Sequence, residues 1–232
     1  MPRDVQPEWL DILPPEDPRA RHARDDLKRV HQLMGHALTL PPLLDRELTR
    51  LRPPIRLVEI GAGDGWFVRS LAAKLAHRHP QVEVLLVDRC AAQRDTPGRG
   101  ASAGWNTTTT VSDIFSWLVS DAPPADLMFC NLFLHHFKAD ELRTLLRLVA
   151  HKTRNFIACE PRRSYFALGA SHLLGIVGCN DVTRHDAPVS VRAGFVDRDL
   201  THLWPRCEGT DSWNLTERWL PPFSHLFCAY AP

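Results

Sequence analysis

Apolar residues along this chain follow two rhythms. Short runs at 57–60, 82–88, 107–115, 126–130 and 155–159 have strand length and end in acids, glycines or other turn-forming residues. Between them, Phe67, Val68, Leu71, Ala72 and Leu75 recur at the one-face spacing of an amphipathic helix, as do Leu142, Leu145, Leu146 and Val149. Trp117-Leu118-Val119 predicts a shorter helix. Strands alternating with helices in this way predict an α/β chain. Two further strands are expected at 212–219 and 224–230, joined around Pro221-Pro222.

The flanking segments are less regular. Pro14-Pro15-Glu16-Asp17-Pro18 reads as an irregular lead-in to a helix from about Asp25, and a second helix is expected at 43–51, before Pro53-Pro54. Leu27, Val30 and Met34 read mainly as a core stripe. Trp9-Leu10 is either an anchor or a loose end. Residues 162–204 are too long for an ordinary connection and must hold helices of their own, starting with the apolar stretch 165–177.

The strongest chemical signal is Leu57-Val58-Glu59-Ile60-Gly61-Ala62-Gly63-Asp64-Gly65. A strand runs into residues without Cβ and then into a helix, so a ligand can lie against bare peptide groups at a helix N-terminus. A dinucleotide site would need glycine at position 66, where this chain has Trp66. Asp88 closes the second strand about twenty residues later, where a carboxylate can accept from both hydroxyls of a ribose, or simply end the strand. Asp113 follows the third strand, where it or Ser112 can cap the next helix.

The glycine turn with Glu59 resembles motif I of the class I S-adenosylmethionine-dependent methyltransferases. Asn131-Leu132-Phe133-Leu134-His135-His136-Phe137 after the fourth strand is similar to the methyltransferases of ubiquinone and menaquinone biosynthesis. The resemblance covers roughly residues 50–232. It implies a Rossmann-like α/β fold: a seven-stranded mixed sheet with helices on both faces, an N-terminal helical extension (1–52) and a methyltransferase domain (53–232) with a helical insertion after strand five (162–204). It also implies S-adenosylmethionine as cofactor, held by Glu59, Gly61, Ala62, Gly63, Gly65, Asp88, Asp113, Ile114 and Asn131, with Asp113 on the adenine amino group and Ile114 on the ring. The helices before the first strand and the insertion would wall the acceptor pocket, with His31, Met34, His136 and Arg184 as substrate contacts.

Methyl transfer asks chiefly for in-line alignment and exclusion of water, with a base where the acceptor is a hydroxyl. His185 in the insertion is the first base candidate and His135 the second. Asp186 beside His185 is not read as a dyad partner, because adjacent side chains seldom face each other. The expected acceptor is a small, apolar or aromatic metabolite methylated on O, N or C. The alternatives are a silent methyltransferase-fold partner and, disfavoured by Trp66, a nicotinamide-dependent dehydrogenase.

Bulk properties narrow this further. The 232 residues are 44% hydrophobic, enough for one full core. With 28 basic and 27 acidic side chains, the formal net charge of +1 advertises no nucleic-acid partner. No apolar stretch reaches the ~20 residues of a membrane span, so no membrane partner is expected. Cysteines 90, 130, 159, 179, 207 and 228 lack zinc-ligand spacing. No metal site is expected, and the setting reads as reducing and cytoplasmic, for a monomer or homodimer. The residues after strand four do not match the nucleobase-amine or protein-arginine subclasses. Cys130-Asn131 and Cys159-Glu160 lack the paired acids of the metal-dependent catechol type.

Overall fold

The computed structural model describes residues 1–89, 104–205 and 213–232; Cys90, Cys207 and Ser212 lie outside these. The chain opens with helices α1 (Trp9–Ile12), α2 (Pro18–Leu33) and α3 (His36–Arg50). It continues through β1 (Ile55–Ile60), α4 (Trp66–Leu75), β2 (Val82–Asp88), β3 (Asn106–Val111), α5 (Ile114–Leu118) and β4 (Leu127–Asn131). A 3-10 turn (Leu134–His136) leads to α6 (Ala139–Lys152) and β5 (Asn155–Pro161). Then come α7 (Tyr165–Ser171), α8 (Asp181–Ala193), α9 (Asp199–Leu203), β6 (Asn214–Leu220) and β7 (Ser224–Tyr230).

Among the described residues the strands form one seven-stranded sheet, in the order β3-β2-β1-β4-β5-β7-β6. β7 runs antiparallel to both of its neighbours, and the pairings from β3 through to β5 are parallel. The sheet is mixed, as expected. Side chains alternate across it: Leu57, Leu127, Phe129, Ile157 and Cys159 pack toward α3 and α4, whereas Val58, Ile60, Met128, Cys130, Phe156 and Ala158 pack toward α5 and α6. That two-sided burial explains why the central strands read as continuous apolar runs. On α6, Leu142, Leu145, Leu146 and Val149 are wholly buried, each worth roughly 1.5–3 kcal/mol of apolar transfer.

The N-terminal helices depart from the sequence reading. α2 starts at Pro18 rather than near Asp25, because the Asp17 carboxylate accepts from the Arg19 N–H and Pro18 occupies the first helical turn, where its missing N–H costs nothing. α3 starts at His36 rather than near Leu43 and carries Pro41 and Pro42 in its body. Proline at 41 leaves the Ala37 carbonyl without its helical donor, and the Lys74 ammonium donates to it at 2.6 Å. Asp26, wholly buried on α2, accepts from Arg29, from the Asn180 N–H and from the Thr183 hydroxyl, tying α2 to the start of α8. No helix of the described residues is long and apolar enough to cross a membrane.

Candidate active site

The carboxyl ends of β1, β2 and β4 open into a cavity of about 880 Å³, roofed by the N-terminal segment, α2, α7 and α8. Sheet order reverses between β1 and β4, the place where open α/β sheets hold ligands. At one end the wall is the β1–α4 turn with Gly61, Ala62, Gly63, Asp88, Asp113 and Ile114. At the other it is apolar, with Leu27, Val30, Leu33, Met34, Leu173 and Leu174. Leu27 and Val30 are therefore cavity wall rather than core: both are only half-buried, whereas Met34 is buried.

The turn is shaped for close approach. Gly61 has φ +67°, and a Cβ there would lie 2.2 Å from Cδ2 of Phe133; Gly63, with φ +54°, has open space where a Cβ would stand. The Gly63 N–H donates to Asp88 at 2.8 Å, joining the turn to the end of β2. Gly65 does not line the cavity. It caps α4 in the left-handed region, and a Cβ there would press on Leu86, so its role is to bring α4 down onto β2. Gly61→Ala is expected to cost about 1–3 kcal/mol through crowding against Phe133, read as a lower urea midpoint with an unchanged slope.

Polar atoms face this end without partners. Glu59 is buried, and its Oε2 accepts no hydrogen bond. Burial first, then the nearby Asp64 and Asp88 charges, push its carboxyl well above the usual range. Oδ1 of Asn131 is also unpaired, while its Nδ2 stands 3.1 Å from His31 Nδ1. Asp113 caps α5 by accepting from the Ser116 N–H and still lines the cavity beside Ile114. A site offering bare backbone, two strand-end carboxylates and unsatisfied buried acceptors suits a polar nucleoside ligand.

Four histidines were singled out, and they behave differently. His31 Nδ1 lies 3.0 Å from His36 Nδ1, and His36 Nε2 lies 2.8 Å from the Ser224 hydroxyl. Burial lowers His31 to about 4 and His36 to about 3, so both imidazoles are neutral at pH 7. His135 is the opposite case. Its Nδ1 donates to Glu160 at 2.8 Å, and its Nε2 faces Glu8 at 3.4 Å. Burial would lower its pKa, but the bond to Glu160 and the charges of Glu160 and Glu8 outweigh it and raise it to about 9. A base at this position needs a lone pair, and an imidazolium has none, so His135 is a charged structural partner rather than a proton acceptor. His136 lines the cavity with Nδ1 3.1 Å from Asp11.

His185 and Arg184 do not reach the cavity wall. The His185 ring stacks on Trp9 at 3.9 Å with its Nδ1 2.8 Å from Asp186, so the adjacent side chains do pair, contrary to expectation. Arg184 packs beside Gly175. Helical phase explains both corrections: Thr183, Asp186, Ala187, Ser190 and Val191 form the cavity stripe of α8, with 184 and 185 off to its side.

Of the two readings of Trp9-Leu10, the structure shows the anchor, and Arg3 and Glu8, which the sequence did not single out, act with it. Arg3 donates to the carbonyls of Ala193, His135 and Phe137; Glu8 accepts from Ser190; and the Trp9 and Leu10 N–H groups donate to Asp186. Burial would raise the Glu8 and Asp11 carboxyls, but close contact with His135 in the one case and His136 in the other holds both below their ordinary values. The only local signal was an acid on each side of Trp9-Leu10. Glu160, wholly buried, accepts from the Phe133 and Leu134 N–H groups as well as from His135.

Compared with solved structures, the chain superposes on the plantazolicin methyltransferase BpumL in complex with SAH, with a TM-score of 0.65 at 11% identity over 94% of this chain and 92% of that one. This is a methyltransferase fold. It also resembles an O-methyltransferase family protein from Burkholderia thailandensis (TM-score 0.57, 18% identity, 93% of this chain and 60% of that chain). A putative O-methyltransferase from Nostoc punctiforme PCC 73102 gives a TM-score of 0.51 at 15% identity, over 82% of this chain and 55% of that chain. The chain thus spans little more than half the length of the latter two. No protein-family model and no curated protein matches the sequence. Within the methyltransferase fold, the glycine turn and the strand-end acids occupy the sheet's ligand crevice, and the apolar wall adjoins them.

Proposed function

We propose that the chain is a cytoplasmic S-adenosylmethionine-dependent methyltransferase, monomeric or homodimeric, acting on O, N or C of a small, largely apolar or aromatic metabolite. Quinone-type acceptors of the kind suggested by Leu134-His135-His136-Phe137 fall in this class. The observation that carries the reading is the glycine turn of β1, open to the cavity and flanked by Asp88 and Asp113.

The donor's sulfonium supplies the methyl group together with its leaving group. Asp88 takes the ribose hydroxyls, Asp113 and Ile114 the adenine, and the unpaired acceptors of Glu59 and Asn131 face the donor's remaining polar groups. Residues 1–52 and 162–204 supply the acceptor walls, where Met34 and the α2 stripe give apolar contact. They also exclude water, so that alignment rather than strong acid or base does most of the chemistry. The neutral His31, held beside Asn131, lines the same wall as a polar contact for the acceptor.

Calorimetry with S-adenosylhomocysteine tests this reading. The folded wild type is expected to bind, and Asp88→Ala to weaken binding about 10–100-fold, the loss of a charged acceptor for two hydroxyls. No binding to folded wild-type protein overturns it. Binding without turnover across a broad acceptor panel would instead favour a silent partner.

A further inference from the structure

We infer that Glu8, His135 and His136 form a site for a divalent transition-metal cation in the cavity wall. One donor atom from each of the three lies within 4.8 Å of the others. Two imidazoles and a carboxylate are the donor set that suits zinc and its neighbours rather than magnesium or calcium.

The spacing around His135 separates the two kinds of contact it makes. Its Nδ1 meets Glu160 at 2.8 Å, a direct hydrogen bond. Its Nε2 stands 3.4 Å from Glu8 Oε1, long for an N–H···O bond. Two ligands at bond lengths of ~2.0–2.1 Å in a tetrahedral site sit about 3.3–3.4 Å apart, which is that separation. The cation takes the place of the Nε2 proton, which leaves to solvent, and no other bond changes.

The surroundings supply what a metal site needs beyond its ligands. Glu160 is wholly buried and fixes the His135 tautomer from behind, the carboxylate–histidine arrangement that orients a metal-bound imidazole. The Ser190 hydroxyl donates to Glu8, and Asp11 lies 3.1 Å from His136 Nδ1. All three proposed ligands line the cavity, so a remaining coordination position faces the space for a substrate. On the methyltransferase reading, that position takes an acceptor hydroxyl and lowers its pKa. Binding of the cation itself does not depend on that reading.

The test is calorimetric titration of the full chain with Zn²⁺, without donor or acceptor, in two buffers of different ionisation enthalpy. Wild type is expected to bind one tight equivalent and release about one proton. Glu8→Gln and His136→Gln are each expected to weaken that binding by about 100-fold. Far-UV circular dichroism and S-adenosylhomocysteine affinity confirm that each variant folds. Substituting Co²⁺ should give visible ligand-field bands in wild type that Glu8→Gln loses. Absence of a tight equivalent in wild type, or equal binding by both folded variants, overturns the site. Either result leaves the nucleoside site intact, since that site is read separately by S-adenosylhomocysteine.

Discussion

Glu160→Ala is expected to lower stability by about 3–5 kcal/mol, because it strips the counter-ion from a buried imidazolium and the acceptor from two backbone N–H groups at once. Against a typical total of ~5–15 kcal/mol, this is enough to leave the variant largely unfolded in mild urea. Glu160→Gln separates the two effects. Its amide oxygen still accepts from the Phe133 and Leu134 N–H groups, but the charge opposite His135 is gone. In wild type the folded pKa of His135 is raised to about 9, so its contribution is complete below its unfolded value of ~6.5 and fades as pH rises through about 9. That loss is worth roughly 3 kcal/mol. In the metal-free protein the expected result is an alkaline decline in urea midpoint between pH 7 and 10 that Glu160→Gln shows only in part, since Glu8 still faces the ring. An equally steep decline in the glutamine variant would contradict this account.

Acid acts on the His31–His36 pair with the opposite sign. His31 and His36 are held neutral in the fold, at about 4 and about 3, while the unfolded chain takes up their protons near pH 6.5. The unfolded state therefore binds more protons between those values, and stability falls as pH drops from about 6.5 toward 4. Lowering one ring from 6.5 to about 4 and the other to about 3 amounts to several kcal/mol for the pair. Unfolding midpoints measured from pH 7 down to 4 should drop steeply, and His36→Asn should flatten part of the slope. Carboxylates give acid lability too, but mainly below pH 5, so the loss between 6.5 and 5 is the part diagnostic of the histidines. Stability unchanged from pH 7 to 5 would show that these rings are already open to water.

The central strands, α4, α6 and the glycine turn were legible because each depends on local regularities: a two-residue alternation, a helical stripe, residues without Cβ. Asp113 as a helix cap was legible for the same reason. What escaped was set by distance along the chain. Glu8 acquires its meaning from His135 and Ser190, and nothing within ten residues of Glu8 announces either. His185 stands out in the sequence only by its place in the insertion, and place alone does not give the phase of the helix it sits on. Asp186, one residue on, holds the inward position and caps the Trp9–Leu10 turn. Pro41 and Pro42 concealed the start of α3, since the repair to the helix comes from Lys74 on another element.

The N-terminal segment also has a place in the order of folding. Arg3 meets Ala193 across 190 positions, Trp9 meets Asp186 across 177, and Arg3 meets Phe137 across 134. Contacts so remote in sequence pay their loop-closure entropy only once the intervening sheet exists to receive them. A chain emerging from the ribosome must hold residues 1–12 in waiting until α8 has been made. The cavity is thus closed late, by a segment made well before the helix that receives it.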